Sequence, residues 1–157
     1  MTDDSGKLID LMRDMHVAMF TTQTDEGTLR SVPMARQEVE PSATLWFITA
    51  RDTEHVRDVQ ARPHVGLTFS SGDAWVSIQG TATVDDDEAK LKELWNTFAE
   101  AWLPGGPEDG NATLIRVDAT GGEYWDTPGS KIASLISFAK TRITGETYDA
   151  DHGRADL

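Results

Sequence analysis

The sequence contains no cysteine. Disulfides, thiolate nucleophiles and every cysteine-ligated zinc or iron–sulfur site are excluded. Basic residues are scarce: 14 Lys and Arg stand against 27 Asp and Glu, a formal net charge of −13. A nucleic-acid binder is disfavoured, because a phosphate backbone demands a local cationic excess. Docking on an anionic membrane surface is disfavoured for the same reason. No run approaches the ~18 apolar residues that read as a membrane-spanning helix. The start, Met1-Thr2-Asp3-Asp4-Ser5, lacks the basic-then-apolar order of a secretion signal. These absences lead to the expectation of a soluble, cytoplasmic protein.

What remains is enough for one core. The chain has 157 residues, of which 38% are hydrophobic and 26% charged. That suits one domain, expected over residues 1–147, with a flexible acidic tail over 148–157. Leu8, Leu11, Met12 and Met15 recur at helical spacing. Residues 17–22 and 28–39 read as a hairpin around Asp25-Glu26-Gly27. Pro33 lies inside the second strand and cannot donate a ladder bond, so pairing should lapse there or the strand should lie at an edge or bulge. Residues 43–50 form a nearly continuous apolar strand, as expected when both faces are covered.

A short helix follows from Asp52 or Thr53 and stops before Pro63. Residues 64–70 and 74–84 are strands, and the second separates Val76, Ile78, Ala82 and Val84 from Trp75, Ser77 and Gln79. The acidic run from Asp85 opens the longest helix, striped by Leu91, Leu94, Trp95, Phe98 and Trp102. Residues 112–119 and 123–126 read as strands around a Gly121-Gly122 turn, and Ser130 caps a last helix. Short links between most strands point to a mainly β fold: an antiparallel sheet closing into a barrel, with helices at its ends and seams.

Phosphate-loop, dinucleotide, zinc-protease and hydrolase-elbow motifs are all missing. The four histidines, His16, His55, His64 and His152, show no metal-ligand spacing, so no metal is expected. Two segments carry more. In Arg30-Ser31-Val32-Pro33-Met34, a ladder gap exposes backbone groups that a planar heteroaromatic ligand can use; the plainer reading is an ordinary edge strand. Around Trp46-Phe47-Ile48-Thr49-Ala50-Arg51-Asp52-Thr53-Glu54-His55-Val56-Arg57, a buried strand ends and a helix begins. Hydroxyls and basic groups there can converge on a phosphate, or simply cap a helix beside solvated charge.

At these segments the chain resembles the FMN-binding split-barrel superfamily of pyridoxamine 5′-phosphate oxidase, and most closely its general stress protein branch. The resemblance is carried by Gly27, Arg30 to Met34, Leu45-Trp46-Phe47-Ile48-Thr49, Thr53-Glu54-His55-Val56 and Pro63-His64-Val65-Gly66-Leu67-Thr68-Phe69. It continues through Val76-Ser77-Ile78-Gln79-Gly80-Thr81-Ala82, Leu94-Trp95-Asn96, Ala101-Trp102-Leu103-Pro104-Gly105-Gly106-Pro107, Leu114-Ile115-Arg116-Val117 and Glu123-Tyr124-Trp125-Asp126.

The resemblance implies a six-stranded antiparallel split β-barrel, a homodimer, and FMN held at the dimer interface. It implies that Arg30, Ser31, Val32, Pro33 and Met34 line the isoalloxazine and reach the ribityl-phosphate. Ile48 and Thr49 would offer backbone and hydroxyl contacts. Thr53 and His55 stand where relatives place a phosphate-binding hydroxyl and a lysine. Trp75 falls on a strand that faces the flavin, and Trp102, with Trp125, would close the pocket.

Two departures remove positive charge: His55 replaces the lysine, and Val32 replaces an arginine common before Pro33-Met34. FMN then binds weakly unless Arg30, Arg51 and Arg57 compensate. Basic residues that bind the substrate phosphate in true pyridoxamine phosphate oxidases have no counterparts, which disfavours vitamin B6 oxidation. The reading is an FMN-binding general stress flavoprotein, an oxidoreductase on an unidentified small molecule, with no catalytic residue named. The alternatives are a non-catalytic flavin-buffering stress protein and a deazaflavin (F420) binder.

Overall fold

The computed structural model describes residues 4–127 and 151–157. The helix expected from Ser130 lies outside them. Helix α1 (Asp4–Asp14) buries Leu8, Ile9 and Met12, so the stripe read from sequence faces the core. Strands β1 (Val17–Gln23), β2 (Leu29–Val39) and β3 (Thr44–Ala50) follow. Helix α2 (Glu54–Ala61) leads to β4 (His64–Ser70) and β5 (Ala74–Asp85). Helices α3 (Glu88–Leu94) and α4 (Thr97–Trp102) precede the long β6 (Ala112–Asp126), and β7 (Asp151–Asp156) ends the chain.

The strand order is β3-β2-β1-β4-β5-β6-β7, and β3 also pairs with β6. Six antiparallel strands therefore close a barrel, and β7 is an addition outside it. Phe20, Leu45, Phe47, Leu67, Ile78 and Ile115 fill the interior, each at most 2% exposed. Leu8 and Met12 of α1 join the same cluster. β3 is covered on both faces as expected. Leu45 and Phe47 enter the barrel, while Trp46 and Leu114 pack with Leu91 of α3 in a separate cluster.

Three expectations are corrected. The long helix from Asp85 is two short ones, broken at Trp95, whose ψ of 135° is extended. Asn96 then starts α4 by accepting a hydrogen bond from the Ala99 N–H at 2.9 Å, so capping chemistry overrides the continuous apolar stripe. Gly121-Gly122 makes no turn. β6 runs straight through, and a bulge at Thr120 shifts its register between Gln79↔Gly121 and Gly80↔Ala119. Gly80 sits at the crossing, where a Cβ would lie 2.7 Å from the Asp118 carbonyl oxygen. Finally, residues 151–156 are not a frayed tail. They pair with β6 from Gly121↔Asp156 to Asp126↔Asp151.

Candidate functional site

Pro33 marks the opening of the barrel. With β1, β2 keeps an unbroken register from Gln23↔Leu29 to Val17↔Ala35, with Pro33 opposite Met19. With β3, β2 pairs only at Arg36↔Phe47 and Val39↔Leu45. Among the described residues, 29–35 have no partner on that side. A proline is tolerated there because no second ladder needs its missing donor. The expected lapse in pairing is therefore real, and it falls between β2 and β3.

A groove of about 450 Å³ fills the split, within the range of roughly 300–1,000 Å³ typical of small-molecule sites. One wall is Val32, Pro33, Met34 and Ala35; the facing wall is Ile48, Thr49 and Ala50 with His55 from α2. Phe98 and Trp102 of α4 complete it. These two rings lie one turn apart, 6.3 Å between centroids and tilted by 47°. They are 55% and 73% exposed, so the apolar stripe of the expected long helix is divided: Leu91 is buried, while Phe98 and Trp102 border the groove. Asn96 fixes α4 over β2, because its Nδ2 donates to Gln37 Oε1 at 2.6 Å while its Oδ1 caps the helix. Gln37 also lines the groove.

His55 Nε2 lies 2.7 Å from Thr49 Oγ1 and 3.3 Å from Thr53 Oγ1. Thr53 itself donates to the Ala50 carbonyl at 3.1 Å and makes no side-chain cap. Burial holds the His55 pKa below the ordinary histidine value; the neighbouring Asp58 opposes this and Arg30 adds to it.

The surface beside the groove is ionic. Arg30 pairs with Glu54, and its Nε lies 3.7 Å from Asp58 Oδ2. Asp58 is only 6% exposed. It is held by Thr22 Oγ1 at 2.8 Å and approached by Arg62 at 3.9 Å. Arg30, Glu54, Arg57 and Asp58 border a depression of about 270 Å³ that also takes in Asp25 and Glu26. Arg57 pairs with Asp52 at 2.9 Å. Arg51 turns to Asp86 at 2.6 Å and to the Gly110 carbonyl at 3.1 Å.

The structure thus brings Val32, Pro33, Met34, Ile48, Thr49, His55 and Trp102 into one groove. Thr53 adjoins it through His55, whereas Arg30, paired with Glu54, lines the neighbouring ionic depression. Ser31 pairs with Thr21 at 2.7 Å in an exposed hydroxyl pair. Trp75 and Trp125 lie in a different groove of about 510 Å³ with Met19 and Thr68. Gln37, Phe98, Glu54 and Asp58 were not singled out for the site from sequence. Nothing local marks Asp58 as buried or Glu54 as the partner of Arg30, since both read as the polar face of a short helix.

A six-stranded split barrel whose opening carries this groove defines a known class. The chain matches the family model "Pyridoxamine 5′-phosphate oxidase like" over residues 3–149, and it belongs to that family. A protein assigned as general stress protein 26 from Jannaschia sp. CCS1 has the same fold, with a TM-score of 0.82, 28% identity, and 100% of both chains covered. A general stress FMN/FAD binding protein from Xanthomonas citri superimposes with a TM-score of 0.69 and 28% identity, over 80% of this chain and 90% of that one. Protein bli-3 of Neurospora crassa is 27% identical over 88% of this chain and 72% of its own length. Among the described residues no helix is long and apolar enough to cross a membrane.

Proposed function

We propose that the chain is a flavoprotein that holds an isoalloxazine ring in the split between β2 and β3. FMN is the ligand the resemblance implies, and the redox work is oxidation or reduction of a small molecule. The observation that carries this is the 450 Å³ groove whose walls are Val32–Pro33–Met34, Ile48–Thr49 and Trp102. The similar Xanthomonas citri protein, described as FMN/FAD binding, supports it.

The residues fit the ring. The apolar side chains of Val32, Met34 and Ile48 exclude water from a planar system. Backbone groups of residues 29–35 that lack a β3 partner are available to its polar edge. Thr49 and Gln37 add a hydroxyl and an amide. Phe98 and Trp102 cover the open side as an aromatic shelf. A bound flavin would supply the electron transfer, while the protein supplies binding, orientation and a dry site. Assembly as a homodimer is proposed with this reading. Exposed Val17, Met19, Trp75 and Trp125, between 37% and 51% accessible, form an apolar face for a second copy.

The test is a fluorescence titration of the purified chain with FMN, FAD and F420. Saturable quenching by FMN is expected, and Trp102→Ala should weaken it by roughly three- to tenfold, the worth of one aromatic stack. No saturable binding of any of the three would end the proposal. Turnover with NAD(P)H and an acceptor separates an oxidoreductase from a flavin reservoir.

A further inference from the structure

The groove and the depression beside it have opposite characters. The groove is apolar and uncharged, lined by aliphatic and aromatic side chains with Gln37, Thr49 and His55. The depression is rich in acids: Asp25, Glu26, Glu54 and Asp58 line it with Arg30 and Arg57, and Arg62 at its edge pairs with Asp25 at 2.7 Å and approaches Asp58 at 3.9 Å. Both arginines are already engaged, by Glu54 and Asp58 and by Asp52. The third candidate cation, Arg51, is directed to Asp86 and to backbone carbonyls at Gly110 and Ala112.

We infer that the site selects its flavin by the ring and not by the phosphate, and that Glu54 sets this preference by occupying the Arg30 guanidinium and opposing a dianionic tail. The inference rests on the flavin reading proposed above. Glu54 and Asp58 have different parts in it. The Asp58 side chain is 8% exposed and bonded to Thr22, so it fixes the guanidinium in place whatever occupies the other side. The Glu54 side chain is 68% exposed and stands at the rim. A phosphate must compete with a tethered carboxylate for the same donors, and it meets Glu26 and the Arg62-paired Asp25 as well. A neutral sugar-alcohol tail meets no such opposition.

The experiment titrates the full chain with riboflavin, whose tail is neutral, and with FMN at about pH 7.5, where the phosphate is close to a dianion. Both are read by fluorescence quenching at low and high salt. The two flavins should bind within about threefold of each other. FMN affinity should hold or rise with salt, because screening relieves repulsion. Glu54→Gln should tighten FMN by about three- to fivefold, the reach of one exposed charge, and leave riboflavin unchanged. An unchanged unfolding midpoint would show that the variant is intact. FMN binding more than about tenfold tighter than riboflavin, weakened by salt and indifferent to Glu54→Gln, would overturn the inference and leave the flavin reading standing. Failure of both flavins to bind would remove the two together.

Discussion

His55 lines the groove and feels the charges of Asp58 and Arg30 beside it, and its protonation state follows from where it sits. Half-buried beside Thr49, it has its pKa lowered chiefly by desolvation. The unfolded chain, with a histidine near its ordinary value of ~6.5, therefore binds the proton more readily than the native one. The stabilisation is complete above that unfolded value and is lost as pH falls through the lower native value. Wild type should lose more unfolding stability between about pH 7.5 and pH 5 than His55→Gln does, as chemical denaturation at each pH would show. Equal losses would mean that His55 titrates as it does in the unfolded chain.

The lysine that the resemblance implies at this position would bring a permanent charge where this chain has His55. From it one expects FMN affinity to fall as pH rises through the histidine pKa. Burial places His55 in its neutral form at neutral pH and confines that dependence to the acidic side. The groove between β2 and β3 was legible because Pro33 cannot serve a second ladder, and that constraint is local. The ionic depression was not, because the Arg30–Glu54–Asp58 arrangement depends on how α2 docks against β1 and β2.

At the scale of elements, strands announced themselves through alternation. The breaks between helices did not. The apolar stripe from Leu91 to Trp102 runs on past the kink, and only the polar chemistry of Asn96 divides it. That residue links α4 and β2 through one amide. Asn96→Ala removes the cap of a short helix, which typically costs about 1 kcal/mol, and also the donor to Gln37. Asn96→Asp keeps an accepting oxygen for Ala99 and loses only that donor. Flavin affinity should fall with Asn96→Ala by about threefold or more, since the aromatic shelf rides on α4, and by less with Asn96→Asp. The two variants titrated side by side give the answer. Equal affinity of Asn96→Ala and wild type would mean that α4 is held by its apolar packing alone.

The whole molecule is a closed barrel with an added strand, and β6 serves both parts. Its first half, 112–118, pairs with β3 and closes the barrel; its second half, 121–126, carries β7. The Thr120 bulge divides the two, so β7 can be lost without opening the barrel. The polar sequence Asp151-His152-Gly153-Arg154 gave no sign of a strand. Its place depends on distant partners. Lys7 of α1 bridges Asp126 and Asp151. His152 stacks on Trp125 at 5.4 Å and pairs with Glu123. Gly153 lies against the buried ring of Tyr124, where any Cβ would overlap it. Tyr124 donates in turn to Asp4 at 2.9 Å, tying α1 to the same corner.

Gly153→Val therefore forces a choice between displacing Tyr124 and releasing β7. Tyr124 is 2% exposed within the main core, whereas β7 is an outer edge whose even-numbered side chains are solvated. Release is the lower-energy outcome, at an overpacking cost of about 1–3 kcal/mol. Hydrogen exchange should then show the amides of 151–157 unprotected while those of β1 to β5 stay protected. The groove lies across the barrel on β2, β3 and α4, so flavin affinity should be unchanged. Loss of protection throughout the barrel, or loss of the groove's affinity, would show instead that β7 is part of one cooperative unit with the six closed strands.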